Sequence, residues 1–299
     1  MHTRIFPHLP PAVLREIGGL AGADSRFYDT LSEIRLRAGR QSALTVAGES
    51  VPLFARLSAA DLAAVFHRLC QHSVYAHEET LSEGYLRIEG GFRVGVAGCA
   101  VRENGRVVGV RSVSALSIRL PHAVRGAGRV AVELFHRMGG TRGILVYAPP
   151  GVGKTTLLRD AAATLSTGRR PLRVAVVDCR GELCGAPVGC GMLDVLEGYP
   201  KALGIEIATR TLAPEVLICD EIGDYEEANA ILSVQSSGVP LIASAHGDTL
   251  AGLLARPAVQ ILSRAGVFGA YLGIFRRGGA YTYTVDMPQS EREGCDLSL

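Results

Sequence analysis

Residues Tyr147 to Asp160 read YAPPGVGKTTLLRD. An apolar run, GILVY, leads into a glycine-bearing turn that closes on Lys154, Thr155 and Thr156. An amphipathic stretch, TTLLRDAAATL, follows. Strand, glycine turn, Lys, Ser/Thr and helix in that order describe a loop that wraps a phosphate chain. Gly151 and Gly153, flanking Val152, allow backbone N–H groups to converge on phosphate oxygens. The helix start adds its positive dipole end. Lys154 is expected at the β- and γ-phosphates, the Thr155 hydroxyl on Mg²⁺ and Thr156 at the α-phosphate. Ala148 replaces the first glycine of the pattern, which is tolerable if its φ is negative. Pro149 and Pro150 stiffen the turn in its place. The expected ligand is ATP with Mg²⁺, since no NKxD guanine-reading motif occurs in the chain.

Three further apolar runs end on groups suited to phosphate chemistry. VLICDEIG ends in Asp220 and Glu221, where a strand-tip carboxylate can hold Mg²⁺ through its water shell. Asp220 is the expected metal-shell residue, and Glu221 could polarise the attacking water. VAVVDCRGELCG ends a strand at Asp178, followed by Arg180 and Glu182, and its carboxylates are candidates for water activation or Mg²⁺ contact. PLIASAHGDT ends with Ser244 and His246, and a histidine there can hydrogen-bond the γ-phosphate or the water. Arg210 and Arg119 are candidate phosphate-facing charges. Arg93 and Arg111 read as members of a solvated strand face.

On either side of the turn, the runs GILVYA, LRVAVVD, EVLICDE and PLIASAH alternate with helical stretches at βα spacing. Runs that are apolar on both faces suit a parallel sheet buried under helices. The reading is an α/β phosphate-loop domain over residues 141–299. Its parallel units span about 140–265 and it ends in a hairpin, YLGIFRRGGAYTYTV, turning on Gly278 and Gly279. Residues 121–140 read as a linker and a helix, RVAVELFHRM. Residues 1–120 read as a smaller α+β domain. Helix-like periodicity covers 12–38 and 58–72, with Ser58 and Asp61 as caps. EIRLRAG, SALTV, YLRIEGGFRVGVAG and GRVVGVRSVSALSIRL read as antiparallel strands, with a hairpin at Asn104-Gly105.

Bulk properties narrow the class. The chain has 299 residues, 47% hydrophobic and 20% charged, with net charge +2. Mean hydropathy is +0.22. Such a charge balance carries no global basic field, so no nucleic-acid partner is expected. No run approaches the roughly 18–20 apolar residues that cross a bilayer. The start, MHTRIFPHLPP, lacks the apolar core of a secretory signal. These features predict a cytoplasmic protein. Seven cysteines without a signal favour reduced thiols. Cys179, Cys184 and Cys190 form a cluster that reads as loop thiols ahead of a zinc site.

Together these segments resemble the type II and type IV secretion ATPases, RecA-like motors with an N-terminal domain. The resemblance is closest to the stage III sporulation protein AA family of spore-forming Firmicutes. EIRLRAG, GFRVGVAGCAVRENGRVVGVRSVSALSIRL, APPGVGKTTLLRD, VVDCRGELCG, GYPKALGIEIATRTLAPEVLICDEIG and ASAHGD match its blocks in order. It implies an ATP hydrolase, a homo-hexamer, with nucleotide between domains and at subunit boundaries. The Asp178–Glu182 stretch would be the acidic box, with Glu182 its water-activating carboxylate; His246 would fall in the histidine box and Asp220-Glu221 in the second nucleotide motif. Arg119 would be the arginine before the interdomain linker. The partners implied are membrane proteins of a mother-cell-to-forespore channel, with the protein peripheral at the membrane. VVDCRGEL lacks the extra acid that secretion ATPases carry before the Asp, which leaves the base open among Asp178, Glu182 and Glu221. A nucleic-acid translocase, a small-molecule kinase and a non-hydrolysing scaffold are the competing readings of the same core.

Overall fold

Pro11 presets φ for the first turn of α1 (Pro11–Ala23), whose Val13 and Ile17 are buried. The computed structural model describes residues 5–71, 73–88, 92–120, 124–179, 181–183, 191–235, 237–278 and 280–288. They fall into two units, Met1–His122 and Ala123–Leu299. The helical periodicity expected over 12–38 holds only as far as Ala23. After the short α2 (Phe27–Thr30) the chain is extended in β1 (Leu31–Arg37), where Leu31, Ile34 and Leu36 are buried. Pairing with strands on both sides overrides the local helical pattern there.

The remaining elements of the first unit are β2 (Ala43–Val46), β3 (Glu49–Pro52), α3 (Ala59–Leu69), α4 (Glu78–Ser82), β4 (Tyr85–Ile88), β5 (Phe92–Glu103) and β6 (Arg106–Arg119). The strands pair antiparallel in the order β3-β2-β1-β6-β5-β4. Asn104 and Gly105 turn β5 into β6 with φ of 49° and 81°, the double positive φ of a type I′ hairpin. Ser58 and Asp61 form a reciprocal capping box on α3. Leu62, Val65, Phe66 and Leu69 of that helix are buried in the unit's core, each worth about 1.5–3 kcal/mol on removal from water.

The second unit begins with α5 (Arg129–Arg137), β7 (Gly143–Ala148), α6 (Lys154–Leu165), β8 (Val174–Asp178), β9 (Leu193–Glu197), α7 (Lys201–Ile207), β10 (Val216–Cys219) and α8 (Tyr225–Gln235). It continues with β11 (Leu241–His246), α9 (Leu250–Leu254), α10 (Pro257–Arg264), β12 (Phe268–Arg277) and β13 (Ala280–Asp286). The sheet order is β13-β12-β7-β11-β10-β8-β9. All neighbours are parallel except β12 and β13, so β12 extends the parallel sheet as well as opening the terminal hairpin. Alternation along each strand divides the core in two. Ile144, Val146, Val176 and Ile218 pack with α5 and α6. Leu145, Val177, Leu217 and Ala243 pack with residues of α7, α8 and α10. Strands apolar on both faces are therefore a consequence of helices on both sides.

Gly128, at the start of α5, fixes the approach of α5 to α6. Its N–H donates to Asp160 Oδ2 at 2.8 Å. A methyl group there would meet the Ala161 backbone and lie 2.8 Å from the Leu157 carbonyl oxygen. Backbone atoms cannot swing aside, so Gly128→Ala must push the helices apart. It is expected to reduce stability by about 1–3 kcal/mol, read as a lower thermal midpoint. An unchanged midpoint would show that the two helices separate without penalty.

Candidate functional site

The phosphate-loop sequence turns out of β7 at its C-terminal end. Gly151 and Gly153 have φ of 76° and 118°, a region where a side chain is strained. Ala148 is outside the positive-φ set; it is the last residue of β7, in register with His246 of β11. Its substitution for glycine thus requires no unusual backbone. Gly153 precedes the first turn of α6, so the helix N-terminus opens directly on the turn.

A cavity of about 330 Å³ lies over this turn, lined by Gly151, Gly153, Lys154, Thr155, Thr156, Glu182, Asp220, Glu221, Ser244 and His246. The lining comes from the C-terminal ends of β7, β11 and β10 and from the loop after β8, four adjacent strands. That edge is where ligands bind in open parallel sheets.

Lys154 is 7% exposed. Its Nζ donates to the carbonyl oxygens of Ala148 at 2.8 Å and Pro149 at 3.1 Å, and lies 2.8 Å from His246 Nδ1. On the other side of the ring, His246 Nε2 meets Glu221 Oε2 at 2.9 Å. A charged lysine has only donors, so Nδ1 accepts and Nε2–H donates to the carboxylate. Burial lowers the Lys154 pKa, and the Glu221 charge opposes that shift. Arg256 steadies the end of β11 by donating to the His246 carbonyl at 2.8 Å.

Asp178 is fully buried. Its two oxygens accept the backbone N–H groups of Glu182 and Leu183 at 2.9 and 2.8 Å. It therefore shapes the loop that brings Glu182 to the cavity, while its own carboxylate is absent from the lining. Arg159 on α6 donates to the Glu182 carbonyl. Pro149, Pro150 and Val152 belong to the turn itself. Arg210 is exposed on a π-helical turn, Ala208–Leu212, outside the lining. Arg119 lies on β6 of the other unit, opposite Glu33 and Arg93 in the sheet. Arg93 stacks over Tyr85 at 3.8 Å. Arg180, Cys184 and Cys190 lie outside the described residues; Cys179 is half-buried just after β8.

Two elements escaped the sequence reading. β9 adds an edge strand, for which the alternation LDVLE was the available signal. Lys201, the first residue of α7, is 8% exposed. Its Nζ lies 3.4 Å from Asp220 Oδ1 and 3.0 Å from Glu227 Oε1, and it donates to the Glu221 carbonyl. Burial opposes its charge, but Cys219, Asp220 and Glu227 outweigh burial and hold its pKa above the usual lysine value. Burial pushes the Cys219 thiol up to about 12, so that thiol is neutral near pH 7 and the two carboxylates carry the effect. Nothing local in GYPKALG distinguishes a buried lysine from a solvated one.

The residues present suit a nucleoside triphosphate with Mg²⁺. The turn leaves open space where a Cβ on Gly151 would stand, and Lys154 supplies a compact positive charge. The Thr155 hydroxyl and the Asp220 carboxylate are hard oxygen donors. Among the described residues no group of three or more His, Cys, Asp and Glu side chains could cage a metal. Mg²⁺ takes one or two protein oxygens and completes its shell with phosphate and water, a part that Thr155 and Asp220 could fill.

The family model for sporulation stage III, protein AA, matches residues 12–282. The chain is 36% identical over 261 residues to stage III sporulation protein AA of Bacillus subtilis, covering 84% of this chain and 85% of that one. Among solved structures, it is similar to the ATPase DotB of Legionella pneumophila, with TM-score 0.60 and 15% identity over 95% of this chain and 84% of that chain. It is also similar to the pilus retraction motor PilT, solved with bound ADP, with TM-score 0.59 and 19% identity over 87% and 80%. The fold is thus that of RecA-like secretion ATPases with an N-terminal domain. Among the described residues, no helix is long and apolar enough to cross a membrane.

Proposed function

Since the chain belongs to the sporulation stage III protein AA family, we propose that it is a Mg²⁺-dependent ATPase. In this reading it powers a secretion-like channel from mother cell to forespore. One observation carries the proposal: Lys154, Thr155, Glu182, Asp220, Glu221, Ser244 and His246 converge on one cavity above a glycine turn. PilT, a motor of the same fold, is a protein solved with ADP bound.

Within this reading the N–H groups of Gly151, Val152 and Gly153 cradle the phosphates, and Lys154 leaves its carbonyl partners to neutralise the β- and γ-phosphates. Thr156 hydrogen-bonds the α-phosphate. The Thr155 hydroxyl and Asp220 would hold Mg²⁺, which supplies charge neutralisation on the transferring phosphoryl group. Glu221, held by His246, accepts the proton of the attacking water as its oxygen bonds phosphorus and ADP departs. Glu182 faces the same water as the second carboxylate. Asp178 holds the Glu182 loop in place. Arg119 and Arg210 are assigned to phosphate contacts that form at subunit boundaries of a homo-hexamer. Docking on membrane proteins of the channel would place the protein at the cytoplasmic face of the membrane.

Phosphate release is measured while the purified protein is sized with and without a non-hydrolysable ATP analogue. The expected result is Mg²⁺-dependent turnover and a nucleotide-favoured ring. A monomer without turnover in every condition would overturn the motor. Turnover stimulated by DNA or RNA, with a steep salt dependence, would replace it with a nucleic-acid translocase.

A further inference from the structure

The acids after β10 are held by a cation that the phosphate loop does not supply. Lys201 enters from α7, and its ammonium is enclosed by Asp220, Glu227 and the Glu221 carbonyl. Glu227 is fixed in turn: its Oε2 accepts the Gly223 N–H at 2.7 Å, and its own N–H donates to Asp224 Oδ1 at 2.9 Å. One lysine therefore touches the side chain of the proposed metal-shell residue, the backbone of the proposed base and the first turn of α8. Ile222 N–H, donating to the Ser244 carbonyl at 2.7 Å, ties the same loop to β11.

Resting on the Mg²⁺-ATP reading of this cavity, we propose that Lys201 is a positioning residue that aims Asp220 and Glu221 at the metal and the water. A buried carboxylate held near a second carboxylate needs an opposite charge to keep one geometry. Lys201 provides that charge without entering the cavity lining. Without it, Asp220 loses its counter-charge and the Glu221 carbonyl its donor, so the 220–221 segment shifts, while the glycine turn and Lys154 stay in place. Metal-dependent binding is then lost selectively, as when a hydrogen-bond partner behind a metal ligand is removed.

The test compares wild type, Lys201→Met and the double variant Lys201→Met/Glu227→Gln, which restores the cluster's net charge if the single variant folds poorly. A fluorescent ATP analogue is titrated with Mg²⁺ and again with EDTA, and thermal midpoints confirm folding. In wild type, Mg²⁺ should tighten the analogue. In both variants that gain should shrink by about 10-fold or more, with affinity in EDTA unchanged. A variant that keeps the wild-type gain, or loses affinity equally with Mg²⁺ and EDTA, overturns the positioning role. Wild type that binds no analogue at all overturns the nucleotide reading itself, and this inference with it.

Discussion

Lys154→Ala is expected to weaken ATP-analogue binding by about 10–100-fold, the loss of hydrogen bonds to a charged group. Phosphate release should fall by about 100-fold or more, because the transition state carries more charge at the γ-phosphate than the ground state. The side chain is buried, and among the described residues its hydrogen-bond partners are two carbonyls and a histidine ring. None of these is an anion, so the charge is not engaged in a strong ion pair. Phosphate offers what the carbonyls lack. The substitution also strips His246 Nδ1 of its donor, and the ring is then free to change tautomer and loosen Glu221. Analogue titration and a phosphate-release assay measure the two effects separately. Unimpaired binding and turnover would remove the glycine turn from the mechanism.

Glu221→Gln should act differently: the analogue stays bound, while cleavage slows by about 100–10,000-fold, the range for removing a positioned general base. The carboxylate is aimed by His246 Nε2 at 2.9 Å, and glutamine keeps the shape without the basicity. The change also removes the negative charge that supports Lys154, so burial depresses the lysine further. Binding should therefore weaken somewhat at high pH, where more of the lysine is neutral, and remain intact near neutrality. Glu182→Gln is the discriminating companion. If it stops turnover and Glu221→Gln does not, the base is the loop carboxylate. If both variants hydrolyse normally, neither carboxylate activates the water. Single-turnover phosphate release with bound nucleotide checks each case.

Much of this site was legible in the chain because its chemistry is local. A glycine turn between a strand and a helix has to place consecutive N–H groups, a lysine and a hydroxyl within a few residues of each other. Apolar runs ending in Asp220 or His246 announce themselves as strand tips. Asp178 illustrates the limit: as a strand-tip acid it looks equivalent to Asp220, yet both its oxygens accept backbone N–H groups of its own loop. The run 12–38 shows the same limit for secondary structure, since helix-like periodicity gives way to β1 once β2 and β6 offer hydrogen bonds on both edges.

Local pattern in the chain specifies the order of parts: an antiparallel α+β unit, then a parallel α/β unit with its glycine turn after β7. Period-two and both-faced apolar runs, capping residues and positive-φ turn residues are each written within a short window. Which charges meet is settled by three-dimensional packing. Lys201 joins Asp220 across about twenty positions of chain, and Lys154 reaches Glu221 through His246. Those contacts depend on strand order, β7-β11-β10-β8. Strand order is set by how helices cover the two faces of the sheet, a global packing outcome that no local window of residues encodes.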